Sequence, residues 1–186
     1  FNLNAHETAI ERYSDAISLV PNSWRIRNDL AESQIATGLF GPALVELDFS
    51  LGITGESPSS FLALGFRAEA LRNLDQLEEA SATIRRALSL QSSGAQAQAN
   101  LDLLRDLNSQ LGISLDVEYF DELVKQEPND ATAHYFRGLI HLVQGNPGIA
   151  NLDIAKAFDL GLTLDEVRAH RIYSSVRSGK DGEADT

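Results

Sequence analysis

The sequence predicts an all-α fold, a solenoid of antiparallel helix pairs with about ten helices in all. Three observations carry this. Apolar residues recur at helical spacing along nearly the whole chain, broken by short Gly, Pro and Asn punctuation. A unit of two helices and a turn repeats: the alanine opening the packed stripe of each second helix stands at Ala9, Ala43, Ala80 and Ala150, in steps of 34, 37 and 70 residues, the last holding two units. Small residues sit where paired helices must come close. Such a unit cannot bury both faces alone, so it needs neighbours.

Taken in order, residues 1–22 form a half repeat, one helix with Ala9, Ile10, Tyr13, Ala16 and Ile17 as its stripe and an Asn4/Glu7 capping box. Repeat 23–56 places Trp24, Arg27, Leu30 and Ala31 inward on its first helix and Ala43, Leu44 and Leu47 on its second, with Gly38 in the turn. Repeat 57–92 opens on Ser57-Pro58, turns at Asn73-Leu74-Asp75 and restarts with an Asp75/Glu78 box. Repeat 93–130 is the poorest match, with helices over Ala95–Gln110 and about Leu115–Gln126. There Arg105 and Asp116 replace the small residues, so the helices stand further apart or the two charges pair. Repeat 131–162 is the clearest, with Tyr135, Gly138, Leu139 and Leu142 facing Ala150, Ile154, Ala157 and Phe158 across Gly145. A capping helix over 163–177 begins at Thr163/Glu166, and Ala169, Ile172, Tyr173 and Val176 are expected to cover the end of the stack. Residues 178–186 read as a disordered polar tail. The whole of 1–177 reads as one domain.

The chain has 186 residues, 43% of them hydrophobic, and no run approaching the ~20 apolar residues of a membrane span. It has no cysteine, which excludes disulfide and thiolate chemistry within it. Fifteen Lys and Arg against 27 Asp and Glu give a net charge of −12, wrong for a general nucleic-acid binder and for anionic membranes. No signal peptide is visible, and the chain opens on Phe1 rather than Met, the expectation being a mature or trimmed fragment from either side of a membrane.

The period near 34 with two helices per repeat resembles the tetratricopeptide repeat over about Asn4–Gly161. The matching stretches are Ala9, Tyr13, Ala16 and Pro21, and Gly138, Gly145, Ala150 and Ala157, with Ala31, Gly38 and Ala43 and with Ala68, Ala80, Ile84 and Ala87 on the same scheme. The resemblance implies a right-handed superhelix whose first helices line a concave, partner-binding surface, and a scaffold with neither catalysis nor cofactor. By helical phase that surface holds Arg25, Asn28, Glu32 and Ile35, then Leu62, Gly65, Glu69, Arg72 and Asn73, then Thr132, Tyr135, Leu139 and Leu142. The carboxylate clamp known in one subclass is not reproduced, since Glu32, Leu62 and Phe66 stand in its places. The partner implied is another protein or a peptide.

Two rival readings stand beside this. One is self-assembly or docking within a larger protein or a cell-envelope or secretion complex, as a homodimer for instance, through Phe1, Leu3 and Ile10. The other is a metal-dependent enzyme at His134 and His141, seven residues apart and so on one helix face. Arg67 and Arg137, each one residue before a small residue, are expected to bond an acid on the second helix, Asp153 for Arg137. Arg168, His170, Arg171, Arg177 and Lys180 make the last helix basic, suiting a helix C-terminus or an acidic docking surface.

Overall fold

A computed structural model describes residues 3–55, 57–90, 94–113 and 116–184, and among these there are helices and turns without strands. The helices are α1 (Leu3–Leu19), α2 (Trp24–Ala36), α3 (Phe40–Thr54), α4 (Phe61–Asn73, entered through a 3-10 turn at Pro58–Ser60), α5 (Leu77–Leu90), α6 (Ala95–Gln110), α7 (Val117–Gln126), α8 (Ala131–Val143), α9 (Pro147–Asp159) and α10 (Asp165–Ala184). The chain divides into two compact units, Phe1–Gln91 and Ser92–Thr186, where the sequence suggested a single domain. The division falls at Gln91-Ser92-Ser93-Gly94, a stretch with no apolar side chain to pack. Phe1, expected at a self-association surface, lies outside the described residues, as does the side chain of Leu3.

In the N-terminal unit α2 packs against α1, α3 and α4, and α4 against α3 and α5. Ala31, Ala43, Leu47 and Ala63 form a buried cluster with Ile35, Leu51 and Phe66 against it. Burial follows the repeat: Ala43, Leu47, Ala80, Ile84 and Ala87 are fully enclosed. On α1 the matching Ala9, Tyr13 and Ala16 are only half-buried. Asn4 does not cap α1, which already runs from Leu3, and the Asn4 carbonyl accepts from Thr8 Oγ1.

The turns share one hydrogen-bond pattern. Gly38 N–H donates to Ile35 O and Leu39 N–H to Gln34 O; Gly145 N–H donates to Leu142 O and Asn146 N–H to His141 O. This is the Schellman arrangement, and its left-handed residue is glycine in both. The turn after α4 repeats it with Asp75 N–H to Arg72 O and Gln76 N–H to Leu71 O. Asp75 therefore holds φ 61°, the one non-glycine residue at positive φ among those described. The Asp75/Glu78 capping box is thereby corrected: Asp75 serves the end of α4, and α5 starts at Leu77. Because a β-carbon costs roughly 1 kcal/mol in this conformation, Asp75→Gly is expected to stabilise the chain by about that much, read as a higher midpoint in urea.

In the C-terminal unit α8 packs against α7 and α9, and α10 against α9. Leu101, Leu104 and Leu107 from α6, Phe120 from α7, Tyr135 and Ile140 from α8, and Ile154 and Ala157 from α9 are buried. Phe120 and Phe136 stack with ring centroids 5.8 Å apart. Asp116 does not pair with Arg105; it caps α7, accepting from Tyr119 N–H at 3.0 Å. Glu166 does not close a capping box with Thr163, because α10 starts at Asp165 and the Glu166 carboxylate is taken up by Tyr135.

One expectation for the last helix is corrected. Ala169, Ile172, Tyr173 and Val176 are exposed, while Leu164, Val167 and Ser174 are buried, so the packed face lies a fraction of a turn away. The helix α10 runs from Asp165 to Ala184, and residues 185–186 lie outside those described.

Candidate functional site

Ion pairs at equivalent repeat positions join α4 to α3 and α5, and α8 to α7 and α9. Arg67 on α4 donates from Nε to Asp48 on α3, from Nη2 to Glu79 on α5, both at 2.8 Å, and from Nη1 to Thr83 at 3.0 Å. Arg137 on α8 donates from Nε and Nη2 to the two oxygens of Asp153 on α9, at 2.8 and 2.6 Å, and from Nη1 to Asp121 on α7 at 2.9 Å. The Asp153 hydrogen bonds, outweighing burial, hold the Arg137 guanidinium further toward its charged form. Each arginine thus ties its own second helix to the one before. The Arg137–Asp153 pair was legible in the sequence. Asp48 and Asp121 were missed, although an acid about half a repeat upstream of both arginines was the available sign.

A second position recurs between Arg27 and His134. Arg27 donates to Pro21 O at 3.0 and 2.7 Å and to Glu46. His134 places Nε2 3.0 Å from Pro128 O and Nδ1 3.3 Å from Asp153 Oδ1. The offsets along the chain, six residues back and 19 forward, are the same in both. His134 is therefore occupied in joining the start of α8 to α9. No group of three or more His, Asp or Glu suited to a metal is found among the described residues.

The residues assigned by phase to a concave surface separate into rows. Arg25, Glu32, Leu62 and Asn73 are exposed, and Glu69, Arg72, Leu139 and Leu142 are half-buried. Arg25 lies over the Trp24 ring, 4.3 Å from its centroid, and Asn73 Nδ2 donates to the Glu69 carbonyl. Asn28, Gly65 and Tyr135 occupy one row and are all buried. Neighbouring first helices close over that row: α4 packs on α2, and Glu166 and His170 of α10 meet Tyr135. Thr132 is also buried, its hydroxyl bonded to Asp130. Asn28, Gly65, Thr132 and Tyr135 are thus removed from the open surface.

Tyr135 organises the C-terminal unit's first-helix side. Its hydroxyl donates to Glu166 Oε1 at 2.5 Å and lies 2.9 Å from His170 Nδ1. Arg105 donates to the same Glu166 oxygen and, at 3.0 Å, to Asp102; Gln98 reaches Glu166 Oε2 at 3.3 Å. Burial first, and then the Glu166 carboxylate, push the Tyr135 phenol well above its ordinary value, so it stays a hydrogen-bond donor. Beside this cluster lies a cavity of about 490 Å³ lined by Arg105, Leu139, Leu142, Val143, Glu166, His170 and Tyr173. That volume is within the range of ligand pockets. Helical phase on α8 gives Leu139 and Leu142 but not Arg105, Glu166 or His170, which come from α6 and α10, each two helices away from α8 along the chain.

Residues 117–150, from α7 through α8 into α9, match the tetratricopeptide repeat family model. No curated protein matches the chain. Solved structures similar to it include MamA, at 19% identity and TM-score 0.50, covering 83% of this chain and 88% of that one. YrrB, described as a tetratricopeptide-repeat protein with an unusual peptide-binding site, is similar at 19% identity and TM-score 0.50 over 90% of this chain and 83% of its own. The Cut9–Hcn1 assembly of the APC/C matches at 18% identity and TM-score 0.50, over 91% of this chain but 33% of the other.

Proposed function

We propose that the chain, whose residues 117–150 match the tetratricopeptide repeat and whose helix pairs repeat that pattern, is a protein-interaction scaffold that binds a segment of another protein on the exposed first-helix face of a unit. The observation that carries this reading is the cavity beside Tyr135, on the first-helix side of the C-terminal unit, with apolar and ionic walls. Leu62, Arg25 and Glu32 offer the corresponding exposed row in the N-terminal unit. The net charge of −12 favours a basic partner through complementarity and faster encounter.

A photo-crosslinking amino acid tests the reading. It is placed in turn at Leu62 and Leu142 on the first-helix faces, and at Val45 and Leu152, which are exposed on second helices. Adducts from Leu62 or Leu142 alone support it. Adducts only from Val45 or Leu152 contradict it, and adducts whose partner is another copy of the chain would establish self-assembly instead.

A further inference from the structure

We propose that the cavity among α6, α8 and α10 is a subsite for one apolar side chain of a partner segment whose adjacent residue is basic, a claim that rests on the first-helix reading above. Its two walls differ in chemistry. Leu139, Leu142, Val143 and Tyr173 form the apolar wall, and Val143 and Tyr173 are 74% and 55% exposed, large surfaces without a neighbour to cover them. An aliphatic or aromatic side chain of the partner removes them from water, and the Tyr173 hydroxyl is the one polar side-chain group on that wall.

The opposite wall selects the neighbour of that side chain. The charges lining it are the Arg105 guanidinium and the Glu166 carboxylate; Asp102, outside the lining, pairs with Arg105 at 3.0 Å, so the cluster of three carries an excess of one negative charge. The hydrogen bonds fix a further feature. Tyr135 has one hydroxyl proton and gives it to Glu166, so toward His170 its oxygen accepts, and the proton sits on His170 Nδ1. In the neutral ring this leaves Nε2 as a bare acceptor beside the cavity. An excess negative charge and an open acceptor favour a lysine or arginine and disfavour a carboxylate or phosphate in the same place. Tyr135 acts here as a positioning residue, holding Glu166 and His170 in register from beneath.

Three short synthetic peptides test this on the full chain by NMR titration: one with a phenylalanine flanked by lysines, the same peptide with glutamates for the lysines, and the lysine peptide with alanine for the phenylalanine. The first is expected to shift the resonances of Leu139, Leu142, Val143 and Tyr173. The other two are expected to bind at least tenfold more weakly, and Tyr173→Ala or Val143→Asp, both at exposed positions, to weaken the first by a similar factor with an unchanged circular dichroism spectrum. Equal binding of the glutamate peptide, or no shift at these four residues, overturns the subsite. Shifts confined to the row of Arg25, Glu32 and Leu62 overturn the subsite while leaving the first-helix reading standing. Partner adducts only from Val45 and Leu152 in the crosslinking experiment sink that reading as well.

Discussion

Asp153→Ala lowers the stability of the protein by about 3 kcal/mol, seen as a drop in the urea midpoint with an unchanged slope. The size follows from what the carboxylate holds. Its side chain is 6% exposed and accepts two hydrogen bonds from Arg137, itself 20% exposed, while lying 3.3 Å from His134 Nδ1. Alanine leaves a guanidinium enclosed with Asp121 as its one remaining carboxylate, and loosens the link from α8 to α9 at two places. Asp153→Asn keeps an acceptor but not the charge and is expected to cost less. The pair Lys125–Glu122 supplies the contrast, at 3.4 Å with side chains 73% and 59% exposed. Water screens it, so Glu122→Ala is expected to leave the midpoint unchanged.

Gly138→Ala destabilises by about 2 kcal/mol, although alanine is the better helix former. A β-carbon at Gly138 would stand 2.7 Å from Ile154 Cγ1, 3.2 Å from the Ala150 carbonyl oxygen and 3.2 Å from Asp153 Cβ. Ile154 is fully buried and Asp153 is pinned by Arg137, so the crowding is relieved only by moving α9 away from α8. Gly52 in α3 gives the opposite sign. Nothing lies within 4 Å of its β-position, and Gly52→Ala is expected to stabilise by about 0.5–1 kcal/mol through backbone entropy. Paired urea titrations of the two variants, one shifted down and one up, separate close helix approach from helix propensity.

The same repeat logic explains what the sequence made legible. Helix pairs, the glycine turns and the Arg137–Asp153 pair follow from local period, because Ala43, Ala80 and Ala150 must all meet a small partner on the preceding helix. Contacts between first helices were not legible this way. Phase alone put Asn28 and Tyr135 on an open face, yet both are covered by the next first helix, since phase says where a side chain points and not what arrives there. Glu166 shows the same limit: three residues after Thr163 it reads as a capping partner, but a buried phenol competes for the carboxylate and wins. Asp75 shows the reverse, a turn geometry kept by the backbone pattern after the glycine that usually supplies it has been replaced. The exposed Ile172 and Val176 depend on the pitch of α10 against α9, which Leu164, Val167 and Ser174 set.

The most direct measurement of the scaffold account is affinity capture from source cells with three forms of the chain: wild type, Arg25→Glu/Leu62→Asp on the N-terminal unit, and Leu142→Asp/Tyr173→Ala on the C-terminal unit. All three are expected to keep the helical spectrum. A protein retained by the wild type and lost from at least one double variant is the predicted result, and loss from the second alone would assign it to the cavity beside Tyr135. Equal retention by all three forms would contradict binding through the first-helix faces.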